Sequence, residues 1–144
     1  MKLLTALCAA ALCSSTTLRA AEEEKKHPLD VKIAQLSNEA ESTSATSQAY
    51  RTCLELWDKE LNRVYQELKK LLPEKSFAAL KASQVQWLAF RDTQIAFINS
   101  CYDQYEGTMY QPMRASAIME VTRARALDLA GRLDMHKAHA ADAP

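Results

Sequence analysis

Three histidines, four cysteines and a few polar residues set inside apolar stripes carry whatever chemistry this chain has. His27 stands near the start, while His136 and His139 stand three apart near the end, a spacing that shares one helix face. A metal site needs three or four converging ligands, so two histidines alone fall short and no metal or other cofactor is expected. Acid pairs such as Glu55 with Asp58 are plentiful. Hydrolysis by two carboxyls, however, requires a cleft that raises the pKa of one of them. With only two glycines, Gly107 and Gly131, the chain has few loops to wall such a cleft. No G-x-S-x-G, H-E-x-x-H, glycine-rich phosphate loop or C-x-x-C-H haem signature occurs. These residues describe a binding protein, not an enzyme.

The cysteines follow from the compartment. Met1-Lys2 opens the chain, an apolar run covers residues 3–13, and small residues lead to Ala20 and Ala21 before the acids Glu22, Glu23 and Glu24. That is the layout of a secretory signal peptide over residues 1–21, cleaved near Ala20 or Ala21. The run is shorter than the roughly 20 apolar residues that span a bilayer, so no membrane association is expected after cleavage. Export places the product in the periplasm or outside the cell. Cys8 and Cys13 leave with the signal, and Cys53 with Cys101 is expected to form one intramolecular disulfide, as two thiols in an oxidising compartment usually do. Loss of Lys2 and Arg19 takes the balanced charge of the whole chain to about −2, which offers no basic face for nucleic acid.

The elements that must position these groups are helices. Long stretches without glycine or proline separate Pro28, Pro73, Gly107 and Pro112. Residues 22–44 are polar and read as a flexible leader with at most a short helix over 31–36. From Tyr50 the apolar positions Leu54, Trp57, Leu61, Val64, Leu68 and Leu71 alternate spacings of four and three, a sustained helical seam. Pro73 breaks it and suits the first turn of a second helix through Phe77, Leu80, Trp87, Ile95, Ile98 and Tyr102. Gly107 stands where a left-handed helix cap is expected, and a third helix runs from about Pro112 to Leu133 before a flexible polar tail over 134–144. The expected fold is therefore all-α, a small antiparallel bundle of three main helices over 45–133. An antiparallel hairpin of the first two pairs Leu61 with Arg91 and Trp57 with Ile95. It sets Cys53 almost opposite Cys101, as a bridge with Cα atoms about 5.5 Å apart requires.

Polar residues interrupt two of the seams: Gln84 and Arg91, with Asp92 beside them, in the second helix, and Thr122 and Arg125 in the third. A charge in an apolar stripe costs several kcal/mol unless it is paired, so each must find a partner or face a groove. One reading is a buried hydrogen-bond network that fixes helix register, and the other is a partner-binding groove.

Leu61-Asn62-x-x-Tyr65, Gln84-x-x-Trp87-x-x-Phe90-Arg91-Asp92, Gly107-Thr108 and Thr122-x-x-Arg125-x-x-x-Leu129 together resemble the N-terminal domain of the LprI-type lysozyme inhibitors, over about residues 45–133. The resemblance implies a motif network of Asn62, Tyr65, Gln84, Trp87, Arg91, Asp92, Thr122 and Arg125. Members often carry cysteines just after the Arg-Asp and just before the Thr-x-x-Arg. This chain has Gln94, Ile95 and Ala117 there, and Cys53 with Cys101 reads as a substitute staple. The resemblance implies a periplasmic protein partner, a lysozyme or another cell-wall hydrolase, whose cleft is occluded by an exposed edge. Tyr105, Glu106, Gly107, Thr108 and Tyr110 are the candidate edge, because aromatic residues on a tight connection supply contact area at low entropy cost. An immunity protein against a delivered cell-wall toxin, or an envelope adaptor with no muramidase target, has the same export and size.

Overall fold

The computed structural model describes residues 26–141, so the segment read as a signal peptide lies outside the described residues. Four helices and no strand occur among them: α1 (Pro28–Asn38), α2 (Thr43–Leu71), α3 (Glu74–Tyr102) and α4 (Tyr110–Ala141). Ser42 caps α2 by accepting a hydrogen bond from the Ala45 amide at 3.1 Å, which satisfies one of the four amides that a helix start leaves unpaired. Lys69 and Lys70 lie in its last turn, where cations favour the helix dipole. Leu72 then turns extended, as the residue before a proline must.

The core is made by two helices. Cys53, Trp57, Leu61, Val64 and Leu68 of α2 are buried together with Met119, Ala126, Leu129 and Leu133 of α4. With the buried Thr122 included, both sets recur at threes and fours, so two matching stripes meet along their length, and α2 against α4 is the principal interface of the molecule. Each fully buried side chain of valine or leucine size contributes about 1.5–3 kcal/mol.

α3 departs from the expected hairpin. Only Ile98 of its residues is buried, and it packs against α4, lending Leu80 and Trp87 to the rim of the core. Val85, Leu88, Phe90 and Phe97 stay exposed. The reason lies in its stripe: Gln84 and Arg91 interrupt it, whereas the buried residues of α4, Met119, Thr122, Ala126, Leu129 and Leu133, carry no charge. With α3 displaced, the expected disulfide is not formed, and Cys53 and Cys101 are free thiols. Cys53 sits inside the α2–α4 core, where burial pushes its thiol pKa up, and behaves as a small apolar side chain, while Cys101 is half-buried on α3.

The leader also differs from expectation, which raises the helix count from three to four. His27 and Pro28 start α1, His27 Nδ1 accepting from the Leu29 amide at 3.2 Å and proline occupying the first helical position. Leu29, Ile33 and Leu36 then pack on the core, so a segment polar in composition carries one apolar edge. At the other end α4 continues helical to Ala141, through residues expected to fray.

An ion pair holds α1 down. Arg123 donates from Nε to Asp30 Oδ1 at 2.7 Å and from a terminal nitrogen to Oδ2 at 2.9 Å, a two-pronged fork. The same guanidinium lies 5.7 Å from the centre of the Trp57 ring, and the His27 ring lies 4.7 Å from it on the α1 side. The hydrogen bond from Arg123 holds the Asp30 carboxyl below its ordinary value of 3.8 against the opposing effect of burial. A depressed carboxylate contributes stability that is complete above the unfolded value and is lost as pH falls through the folded one. We therefore expect α1 to loosen below pH 3.8, read by Trp57 fluorescence in a Trp87→Phe background. Asp30→Asn should weaken docking by about 1.5–3 kcal/mol at neutral pH and flatten the acid transition. An unchanged transition in that variant would assign it to other carboxylates.

Candidate functional site

The connection between α3 and α4 is built by local hydrogen bonds. The Asp103 amide donates to the Asn99 carbonyl at 2.9 Å to close α3, and the Tyr105 amide donates to the Tyr102 carbonyl at 3.2 Å. The Gln111 amide donates to the Thr108 carbonyl at 3.2 Å as α4 begins. Gly107 adopts φ of 109°, but it lies five residues beyond the end of α3 and is not its cap, a role taken by Asp103 in right-handed geometry. A Cβ at Gly107 would meet nothing within 4 Å, so Gly107→Ala should cost only backbone strain, about 1–2 kcal/mol, read as a drop in the urea midpoint. A midpoint unmoved would mean that the turn adopts a different conformation in solution.

Residues 103–109 are all exposed. The turn brings Tyr105 and Tyr110 into a stacked pair, ring centres 4.8 Å apart and tilted by 22°. Arg114 reaches back from α4 to Asp103 at 2.9 Å and ties the two ends of the connection together. Four of the five residues expected to form the edge, Tyr105, Gly107, Thr108 and Tyr110, line one concavity of about 370 Å³, and Glu106 stands exposed beside it. Arg114 and Asp103 went unnoticed in the sequence, because their meeting depends on how the connection folds back.

The motif residues divide into separate groups. Arg125 is the bridge: it donates to Gln84 Oε1 at 3.2 Å and Ser83 Oγ at 3.0 Å on α3, and to Asp128 at 3.1 Å on its own helix. Its side chain is 14% exposed, so it is a positioning residue that fastens α3 to α4. Arg91 does not join this network. Its guanidinium stays on α3, 5.5 Å from the Trp87 ring and 3.1 Å from Asp92, whose own side chain is exposed. Arg91, Asp92 and Ile95 face Leu54, Glu55, Asp58 and Lys59 across a groove of about 510 Å³, with the buried Thr122 also lining it. Arg125 thus links α3 to α4 by hydrogen bonds, while Arg91 lines the groove. Asn62 stands apart, donating to the Asp58 carbonyl at 2.8 Å, and Tyr65 packs on Phe77 with ring centres 5.7 Å apart where α2 meets the start of α3.

Among the described residues no three His, Cys, Asp or Glu side chains gather as metal ligands, and no helix is long and apolar enough to cross a membrane. Asp30 and Arg123 are a second pair, beside Asp103 and Arg114, that the sequence did not single out. Their signal was present, since His27-Pro28 is a helix start and Asp30 a first-turn acid, but the 93-residue separation hid the pairing.

Residues 34–129, well over half the chain, match the family described as Lysozyme inhibitor LprI. The chain belongs to the LprI lysozyme-inhibitor family. That span takes in the last five residues of α1, all of α2 and α3, and α4 as far as Leu129. Among solved structures, a crystal structure of an uncharacterised protein from Burkholderia thailandensis superposes with a TM-score of 0.72 at 29% identity. The alignment covers 78% of this chain and 57% of that protein, so the LprI-family chain spans little more than half the length of its structural relative. No curated protein matches the chain. The description of the matched family is that of a lysozyme inhibitor.

Proposed function

We propose that the protein is exported, loses residues 1–21 near Ala20 or Ala21, and inhibits a muramidase by laying the α3–α4 turn over the enzyme's substrate cleft. Membership of the lysozyme-inhibitor family carries the reading. The geometry that supports it is the turn itself, a stacked tyrosine pair on an exposed connection between two long helices. Such a pair is held by its neighbour ring and by the backbone on either side, so little side-chain freedom is lost on docking. The ends of α3 and α4 are fastened by Asp103 and Arg114, which lets the turn enter a cleft as a preformed wedge.

The test is lysis of cell walls by several lysozyme classes with the folded protein titrated in. Inhibition that saturates at a fixed molar ratio for at least one class is the expected result. Folded protein that slows no class would overturn the reading and leave the cognate-toxin immunity function as the one to pursue.

A further inference from the structure

The concavity at the α3–α4 turn has a chemistry of its own, separate from its shape as a wedge. It measures about 370 Å³, the small end of the range for ligand sites, which suits a ring and its substituents better than a folded peptide segment. No aliphatic side chain lines it; apart from Gly107, each lining residue ends in a hydroxyl, amide, carboxylate or guanidinium. An apolar ligand would strip water from these groups without replacing its hydrogen bonds, at a cost of a few kcal/mol for each group. An anion is disfavoured as well. Arg114 is already paired with Asp103 at 2.9 Å, and Glu106 adds an unpaired negative charge to the same turn.

What remains is a neutral molecule with many hydroxyls and one apolar face. Asp103 and Arg114 use one oxygen and one terminal nitrogen on each other, which leaves a second carboxylate oxygen and a second guanidinium edge. These are planar groups of fixed orientation, suited to neighbouring hydroxyls on a rigid ring. Tyr105 stacks on Tyr110 by one face and is 57% exposed, so its other side is open to the C–H face of a sugar. We propose that this pocket is a saccharide site that takes a neutral pyranose from a glycan chain. The inference stands whether or not the protein inhibits a muramidase. Where both hold, one turn serves both ligands in exclusive fashion, and free saccharide would compete with the enzyme cleft for it.

The experiment is an amide-resolved NMR titration of the folded protein, without lysozyme, using tri-N-acetylchitotriose and cellotriose in parallel arms to about 10 mM. Binding of either sugar in the millimolar range or tighter, with shifts confined to residues 102–114, is the expected result, and the stronger arm identifies the glycan. Tyr105→Ala should weaken it at least tenfold, and Asp103→Asn should do the same without removing an aromatic ring. Absence of shifts with both sugars, shifts that map elsewhere, or unchanged affinity in both variants would overturn the proposal. Because no enzyme is in the sample, that failure is distinct from failure of the lysis assay.

Discussion

Trp57→Ala is expected to lower stability by about 3–5 kcal/mol, the largest effect of any single substitution in this chain. The side chain is fully buried in the α2–α4 core and is also the floor on which α1 rests, with His27 and Arg123 both against its ring. Truncation therefore removes packing from three helices at once and leaves a cavity that rigid helices cannot collapse. Trp57 Nε1 is buried without a hydrogen-bond partner among the described residues. Trp57→Phe removes that unpaired donor while keeping most of the ring, so its cost should be well below that of alanine, about 1–2 kcal/mol. Urea unfolding followed by circular dichroism checks both. An alanine variant within about 1 kcal/mol of wild type would mean that the core is not organised around this residue.

The second large effect concerns the turn. Tyr105→Ala with Tyr110→Ala should weaken inhibition of a responsive lysozyme by roughly 100-fold or more, since buried interface tyrosines commonly carry 2 kcal/mol or more each. Stability should barely change: residues 103–109 are exposed, and the two rings contact each other outside the buried core. The two readouts must therefore separate. Inhibition that survives the double substitution in a folded protein would move the interface elsewhere, and the Arg91 groove between α2 and α3 would be the next surface to alter. Arg91→Ala is predicted to leave inhibition within twofold if the turn is the presenting edge.

Helix positions followed directly from residue order. The seam from Tyr50 to Leu71, the break at Pro73 and the restart near Pro112 all correspond to observed elements, because 3.6-residue periodicity and proline geometry are local properties. The motif residues from Gln84 to Arg125 were likewise recognisable as a set. Which helices pair was not. An antiparallel hairpin of α2 and α3 satisfied the spacing and put two cysteines opposite each other, yet α4 competes for the same face of α2 and offers a stripe without charge.

Residue types and their spacing were enough for the all-helical class, the family and the lack of familiar catalytic motifs, since each depends on residue type at short range. It took the packed molecule to reveal that α2 packs on α4, that Cys53 and Cys101 are free thiols, that Arg125 is spent on register while Arg91 faces a groove, and that Asp30 finds Arg123. Those outcomes depend on desolvation: a helix face bearing Arg91 and Gln84 loses more hydration on burial than one bearing Ala126, Leu129 and Leu133, so the apolar stripes of α2 and α4 meet first and α3 takes the place that remains.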